Sequence, residues 1–214
     1  MAAPQQIFKE KLAHQIIQAL EKRRLAGTYA PTIAQAREEV AALIPDGSSV
    51  FRCGSTSLVE MGLWERLKSN PKITVIDPYL PEYSPEEGLE ARRRGLTADF
   101  MIASSNAITL DGKLVNLDGM GNRVAAMAFG PRKVILVVGL NKVAYTLEEA
   151  LDRTKQVAAP MNCIRLNINN PCKETGLCSD CHTPSRICNI WSIIEGQAVK
   201  DRIQVKLVGE NLGY

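Results

Sequence analysis

The chain reads as an α/β protein built on a mostly parallel, twisted sheet with helices on both faces. Three observations predict this. From about residue 46 onward, short apolar runs alternate with helical patterns, the order that folds into strand-helix-strand units. Lys133 to Val138 is almost purely aliphatic, the mark of a strand covered on both faces. The 214 residues are 45% apolar and 23% charged, an ordinary packed-domain composition, and no apolar stretch is long enough to cross a bilayer.

In chain order, residues 4 to 25 place Ile7, Phe8, Leu12, Ile16, Ile17 and Leu20 on a 3.6-residue period, which predicts an amphipathic helix ending near Gly27. Thr32, with Gln35 three positions later, reads as a capping box that starts a second helix through Leu43, stopped by Pro45. Residues 1–45 are therefore expected to form an N-terminal helical pair, free to pack on another subunit in a homo-oligomer, and residues 46–214 the α/β domain. Ser49 to Arg52 reads as a strand, Thr56 to Lys68 as a helix, and Lys72 to Ile76 as a strand closed by Asp77-Pro78. Ser84-Pro85-Glu86-Glu87 combines a capping serine, proline at the first helical position and acids in the first turn, predicting a helix to Arg94. Ala98 to Ala103 is the next strand. Ala107 to Leu110 and Lys113 to Leu117 flank Asp111-Gly112, a two-residue hairpin signal. Helices are expected from Asn122 to Phe129 and from Leu147 to Ala159, and two final strands at Trp191 to Ile194 and Arg202 to Val208.

Charge and composition narrow the function. The net charge is only +3 and basic residues alternate with acids, as in Glu21-Lys22-Arg23-Arg24, so the clustered basic face of a nucleic-acid binder is lacking. The first 20 residues carry Lys9, Glu10 and Lys11 where a secretory signal would have an apolar core. Cysteines with no export segment imply a reducing cytoplasm, and their clustering suits an anaerobic one.

Four of the six cysteines, Cys172, Cys178, Cys181 and Cys188, are spaced C-x5-C-x2-C-x6-C in a segment with two prolines and a glycine. That composition predicts an irregular loop able to wrap four thiolates around one centre. An iron-sulfur cluster, of the 4Fe-4S kind, is one occupant. Zinc is the alternative, because Cys178 and Cys181 form a C-x2-C knuckle, although the outer cysteines stand alone. Unliganded or redox-paired thiols are the third reading. His182 follows Cys181 and reads as a loop side chain; His14 belongs to the first helix.

In a parallel sheet, ligands gather at the carboxyl ends of the strands. Three segments fall there. Gly54, Ser55 and Thr56 join a strand to a helix and offer backbone and hydroxyl donors to a small anion, against the plainer reading that Ser55 only caps the helix. Cys53 beside them is either a nucleophile or a small buried apolar group. Ser104, Ser105 and Asn106 end a strand. Asp118, Gly119, Gly121, Asn122 and Arg123 lead into a helix, with Arg123 as a charged fork for an anion, against the reading of a tight turn.

The run Ala98-Asp99-Phe-Met-Ile-Ala-Ser-Ser-Asn106-Ala-Ile-Thr-Leu-Asp-Gly-Lys-Leu-Val-Asn-Leu-Asp118-Gly-Met-Gly-Asn-Arg-Val-Ala-Ala-Met-Ala-Phe-Gly-Pro131 resembles the LUD-domain family. So do Arg186-Ile-Cys-Asn189 and Leu207-Val-Gly-Glu-Asn-Leu-Gly213, and the likeness is to the cysteine-bearing branch common in anaerobic bacteria. The resemblance implies a fold similar to the ribose-phosphate isomerase and coenzyme A transferase group. It also implies a link to lactate utilisation, an iron-sulfur-dependent oxidation of a 2-hydroxy acid carried out with partner redox subunits. Cys53 to Ser57 would then be similar to a phosphate-binding turn. Many relatives carry Glu-Thr-Gly where this chain has Ser104-Ser105-Asn106, which counts against acyl transfer through a glutamate, and a serine needs a paired base to replace it.

Overall fold

A computed structural model describes residues 3–214. Helix α1 (Pro4–Lys22) opens with proline in its first turn and buries Ala13, Ile16 and Leu20. A strand the sequence analysis missed follows: β1 (Ala26–Ala30) lies between α1 and α2 (Ile33–Ala42). The expected helical pair is thus a helix-strand-helix unit, and its strand belongs to the main sheet. The Thr32 hydroxyl caps α2 by accepting from the Gln35 N-H at 3.2 Å. The reciprocal half of the box is replaced by a Gln35 to Glu39 side-chain bond of 2.7 Å.

Next come β2 (Ser49–Arg52), α3 (Thr56–Glu60) and α4 (Leu63–Lys68). The single helix expected over Thr56 to Lys68 is broken at Gly62, whose φ of +66° lies in the left-handed region. After β3 (Thr74–Ile76), α5 (Pro85–Gly95) carries the full capping box, Ser84 and Glu87 satisfying each other's backbone N-H. The remaining elements are β4 (Phe100–Ala103), β5 (Ala107–Thr109), β6 (Leu114–Asp118), α6 (Asn122–Ala128), β7 (Lys133–Gly139), β8 (Val143–Ala144), α7 (Leu147–Arg153), α8 (Ala159–Arg165), α9 (Pro171–Thr175), β9 (Ile190–Ile194) and β10 (Ile203–Val208). A π-helical turn, Thr154–Ala158, joins α7 to α8, so the helix expected to stop at Ala159 continues to Arg165. The cysteine segment is not wholly irregular, since α9 forms one helical turn within it.

The main sheet has six strands in the order β1-β10-β7-β4-β2-β3, all parallel. Its two faces hold separate apolar clusters, one around Leu20, Phe51, Met101 and Leu136, the other around Val40, Trp64, Ile102 and Val137. Neighbours along β4 and β7 thus point to opposite faces, which explains the unbroken apolar run in β7. A second sheet, β8-β5-β6-β9, carries the hairpin turning at Asp111-Gly112, where Gly112 has φ +84°. Strand β9 pairs antiparallel with β6, Asp118 opposite Ile190, which ties the cysteine segment to the end of β6. No described helix is long and apolar enough to cross a membrane.

Candidate functional site

The carboxyl ends of β2, β4 and β7 lie side by side in the parallel sheet and open into one pocket. An inner cavity of about 100 Å³ is lined by Gly54, Ser55, Thr56, Ser104, Ser105, Asn106, Asp118 and Arg123, all read from the sequence as ligand-binding. It opens on a larger crevice of about 630 Å³ that adds Gly119 and Asn122. Gly121 lines neither; it holds φ +95° at the start of α6, a backbone role that glycine fills without strain.

Ser57, the end of the turn that the family resemblance marks as phosphate-binding, also lines the inner cavity, and sequence reasoning missed Lys142, Asn162, Arg165 and Tyr214, which line it too. Lys142 ends the short 3-10 turn Leu140–Lys142 after β7 and is only 2% exposed. Its Nζ donates to Ser57 Oγ at 2.8 Å and to Ser104 Oγ at 3.0 Å. Burial, reinforced by Arg153 and Arg123, pulls its pKa down to about 7. A lysine after Leu140-Asn141 looks like a surface side chain in one dimension, so no local signal marked it. Arg165 donates to Asn162 Oδ1 and to the Tyr214 hydroxyl, and Thr56 Oγ1 donates to the same hydroxyl at 3.1 Å.

Several expectations change. Arg123 was read as a fork for a ligand, yet Nη1 bonds Asn116 Oδ1 at 2.7 Å and the Ser104 carbonyl at 3.2 Å. Its Nη2 bonds Asn106 Oδ1 and the Leu117 carbonyl, both at 2.9 Å. The guanidinium knits the ends of β4 and β6 together and lends the cavity charge more than free donors. Asp118 accepts from the backbone N-H of Arg123 at 3.1 Å, steadying the first turn of α6. Ser105 is spent on the Ala107 and Val115 carbonyls. Ser55, by contrast, makes no capping bond, so the plain capping role does not hold. Cys53 is buried, and burial drives its thiol well above the ordinary range, which removes the thiolate a nucleophile needs.

Positive groups dominate around the crevice. Arg52 and Arg92 both stack on the Tyr79 ring, at 5.8 and 5.1 Å from its centroid, and Arg52 also pairs with buried Asp77 at 2.7 Å. With Arg123 and Arg165 on the inner side, the field favours an anion.

The four predicted metal ligands, Cys172, Cys178, Cys181 and Cys188, line one recess of about 10 Å³, walled otherwise by residues such as Ala159, Pro160 and Ile187. All four are part-exposed thiols. Arg186 binds the Cys181 and Cys188 carbonyls at 2.5 and 3.0 Å, and its guanidinium pairs with Asp180. Cys172 sits beside buried Cys163, and its thiol is pushed up to about 11 by burial and then by Cys163. The all-sulfur donor set, free of carboxylate and imidazole, suits a thiolate-bound centre in kind. Among the described residues, however, no three His, Cys, Asp or Glu side chains are drawn together closely enough to hold a metal ion. The four cysteines share a recess without meeting at one point.

A family model described as LUD domain matches residues 13–208. The chain belongs to the LUD domain family. Among solved structures, this LUD domain protein is similar to a DUF162 family protein from Deinococcus radiodurans, with a TM-score of 0.53 and 17% identity over 94% of this chain and 98% of that one. That likeness bears out the α/β fold read from the sequence. A match to eIF2B delta from Chaetomium thermophilum reaches a TM-score of only 0.35, at 20% identity over 67% of this chain and 57% of that one, and carries no argument. No curated protein matches the sequence.

Proposed function

We propose that this LUD domain protein binds a small carboxylate of the 2-hydroxy acid class, such as lactate, in the crevice at the strand ends, and takes part in its oxidation. In this reading Cys172, Cys178, Cys181 and Cys188 hold an iron-sulfur cluster. The observation that carries the reading is the shared wall. Ile187 lines both the sulfur recess and the crevice, and helix α8 gives Ala159 and Pro160 to the recess but Asn162 and Arg165 to the pocket. When bound, a cluster supplies one-electron transfer, the chemistry that oxidising an alcohol to a ketone requires twice. The protein's own contribution is the cationic surround that orients the carboxylate, with Arg165 at the inner cavity and Arg52 and Arg92 in the crevice. Electrons leave through a partner redox subunit.

Two other readings meet the same residues. Zinc suits an all-thiol recess as well, and would make the loop a docking surface without redox chemistry. An anion-binding transferase or isomerase is the other; a sugar-phosphate isomerase needs a carboxylate base, for which Asp118, bonded to the start of α6, and Asp111, paired with Arg23 at the hairpin, are the candidates.

Anaerobic reconstitution with ferrous iron and sulfide, followed by metal and sulfide analysis and electron paramagnetic resonance, is the test. Wild type is expected to bind iron and labile sulfide, Cys178→Ser to lose both, and lactate or pyruvate to alter the reduced signal. A chain that takes up one zinc and no iron would overturn the cluster. A signal indifferent to both acids would remove them as ligands.

A further inference from the structure

Three adjacent strands deliver three polar side chains to the floor of the inner cavity. Ser57 follows β2 on α3, Ser104 directly follows β4, and Lys142 follows β7. Ser104 Oγ donates to its neighbour's carbonyl at 3.3 Å and receives Lys142 Nζ at 3.0 Å. Ser57 Oγ donates to the Leu212 carbonyl at 3.3 Å and receives the same Nζ at 2.8 Å. Both serines and the lysine line the cavity, and Ser104 is the more open hydroxyl, 7% exposed against 1% for Ser57. A serine is a weak nucleophile until a base stands within hydrogen-bond reach and a further group fixes that base. Ser104, Lys142 and Ser57 fill those three places.

We propose that Ser104 is a nucleophile activated by Lys142, with Ser57 as the positioning residue, and that the cavity accepts activated esters or thioesters of small carboxylic acids. The site goes beyond the redox reading and does not use the cysteine recess.

The steps balance. Ser104 Oγ bonds to the acyl carbonyl carbon as its proton passes to Lys142 Nζ. The bond from that carbon to the leaving oxygen or sulfur breaks, and Lys142 returns the proton to the departing alkoxide or thiolate. Water then attacks the acyl-serine, giving a proton to Lys142, and Ser104 Oγ leaves and recovers it, releasing the free acid.

A lysine serves as base only when neutral. The charged groups that set its state are Arg153 from α7, Arg123 from α6 and Glu60 from α3, and the two arginines outweigh the one acid. Arg165 on the cavity wall adds positive charge suited to a developing oxyanion.

The experiment uses the full chain and p-nitrophenyl acetate, read by intact mass and by mapping of the modified peptide. Wild type is expected to gain one acetyl group on Ser104, at a rate that rises with pH and levels off above about 7. Lys142→Met is expected to slow acylation about 100-fold or more, and Ser104→Ala to remove it. Ser57→Ala, which takes away the hydroxyl that holds Lys142 Nζ at 2.8 Å, is expected to carry the acetyl group on Ser104 at a lower rate and with a displaced pH midpoint; an unchanged rate and profile would remove Ser57 as the positioning residue. Should Lys142→Met fail to fold, the pH profile and the peptide map of wild type decide alone. No acylation of wild type, acylation mapped to Ser57 or elsewhere, or an unchanged rate in a folded Lys142→Met would overturn the proposal.

Discussion

The two candidate sites of this molecule are built on opposite terms. At the strand ends, Arg123 and Lys142 are buried and bonded to the fold itself, one through four hydrogen-bond acceptors and an ion pair with Asp118, the other through two hydroxyls. In the cysteine segment the sulfurs are half-exposed, and the chain is stitched by polar bonds through Arg186, Asp180 and Asn170. The first site is shaped by the packing of the sheet before any ligand arrives. The second has its four cysteines along one recess with no three of them drawn together, so under the proposed function its geometry would be completed by the centre it binds. A closely packed site and a loosely gathered one thus lie on either side of Ile187.

Removing Arg123 is the strongest way to break this contrast. Arg123→Met should destabilise the protein by about 3 to 5 kcal/mol in urea unfolding, because it takes the charged donor from the Ser104 and Leu117 carbonyls and leaves the Asn106 and Asn116 oxygens with one backbone N-H each. A loss below about 1 kcal/mol would mean that the strand ends are held by apolar packing alone.

Lys142 sharpens the comparison through pH. In the folded protein it keeps its proton only below about 7, against an ordinary 10.5 in the unfolded chain. Between those values the unfolded chain binds the extra proton, so stability at this site rises with pH and its burial cost is felt in full below 7. Wild type should gain on Lys142→Met by on the order of 3 kcal/mol between about pH 6.5 and about pH 9.5. Parallel stability curves for the two proteins would show that the lysine titrates as it does in water.

The cysteine segment should behave in the opposite way. Cys178→Ser should shift the stability of metal-free protein by less than about 1 kcal/mol, since Cys178 is half-exposed, while removing most of the metal-induced gain. A large effect without metal would place the loop with the packed core instead. The smallest effect is far from both sites: Glu87→Ala, which breaks half of the α5 capping box, should cost about 0.5 to 1 kcal/mol with either site unchanged.

What could be read from the sequence follows the same division between local and distant causes. Ser84-Pro85, Asp111-Gly112 and the aliphatic run of β7 announce their structure because the signal lies within a few residues of its effect. Ala26-Gly27-Thr28-Tyr29-Ala30 does not, since it lacks a run of branched side chains and becomes a strand only by pairing with β10. Likewise, the strand-end segments containing Ser55, Ser104 and Asp118 were visible as turn chemistry at the ends of apolar runs. Lys142, Arg165 and Tyr214 were invisible, because nothing near them in sequence says that they meet Ser57 or Thr56. Arg123 was found but given the wrong task, its four acceptors being scattered from Ser104 to Leu117 and disclosed only by the fold.

The position of β10 also governs how the protein can be made. Although last in the chain, it lies between β1 and β7, pairing Ala26 with Gln204 and Ile203 with Val134. Until Ile203 to Val208 have been made, β1 has no neighbour in the sheet and the aliphatic β7 offers a bare edge, the kind of surface that invites aggregation. Synthesis must therefore pass Val208 before the sheet can close, and a nascent chain paused before Ile203 is the form most in need of a chaperone.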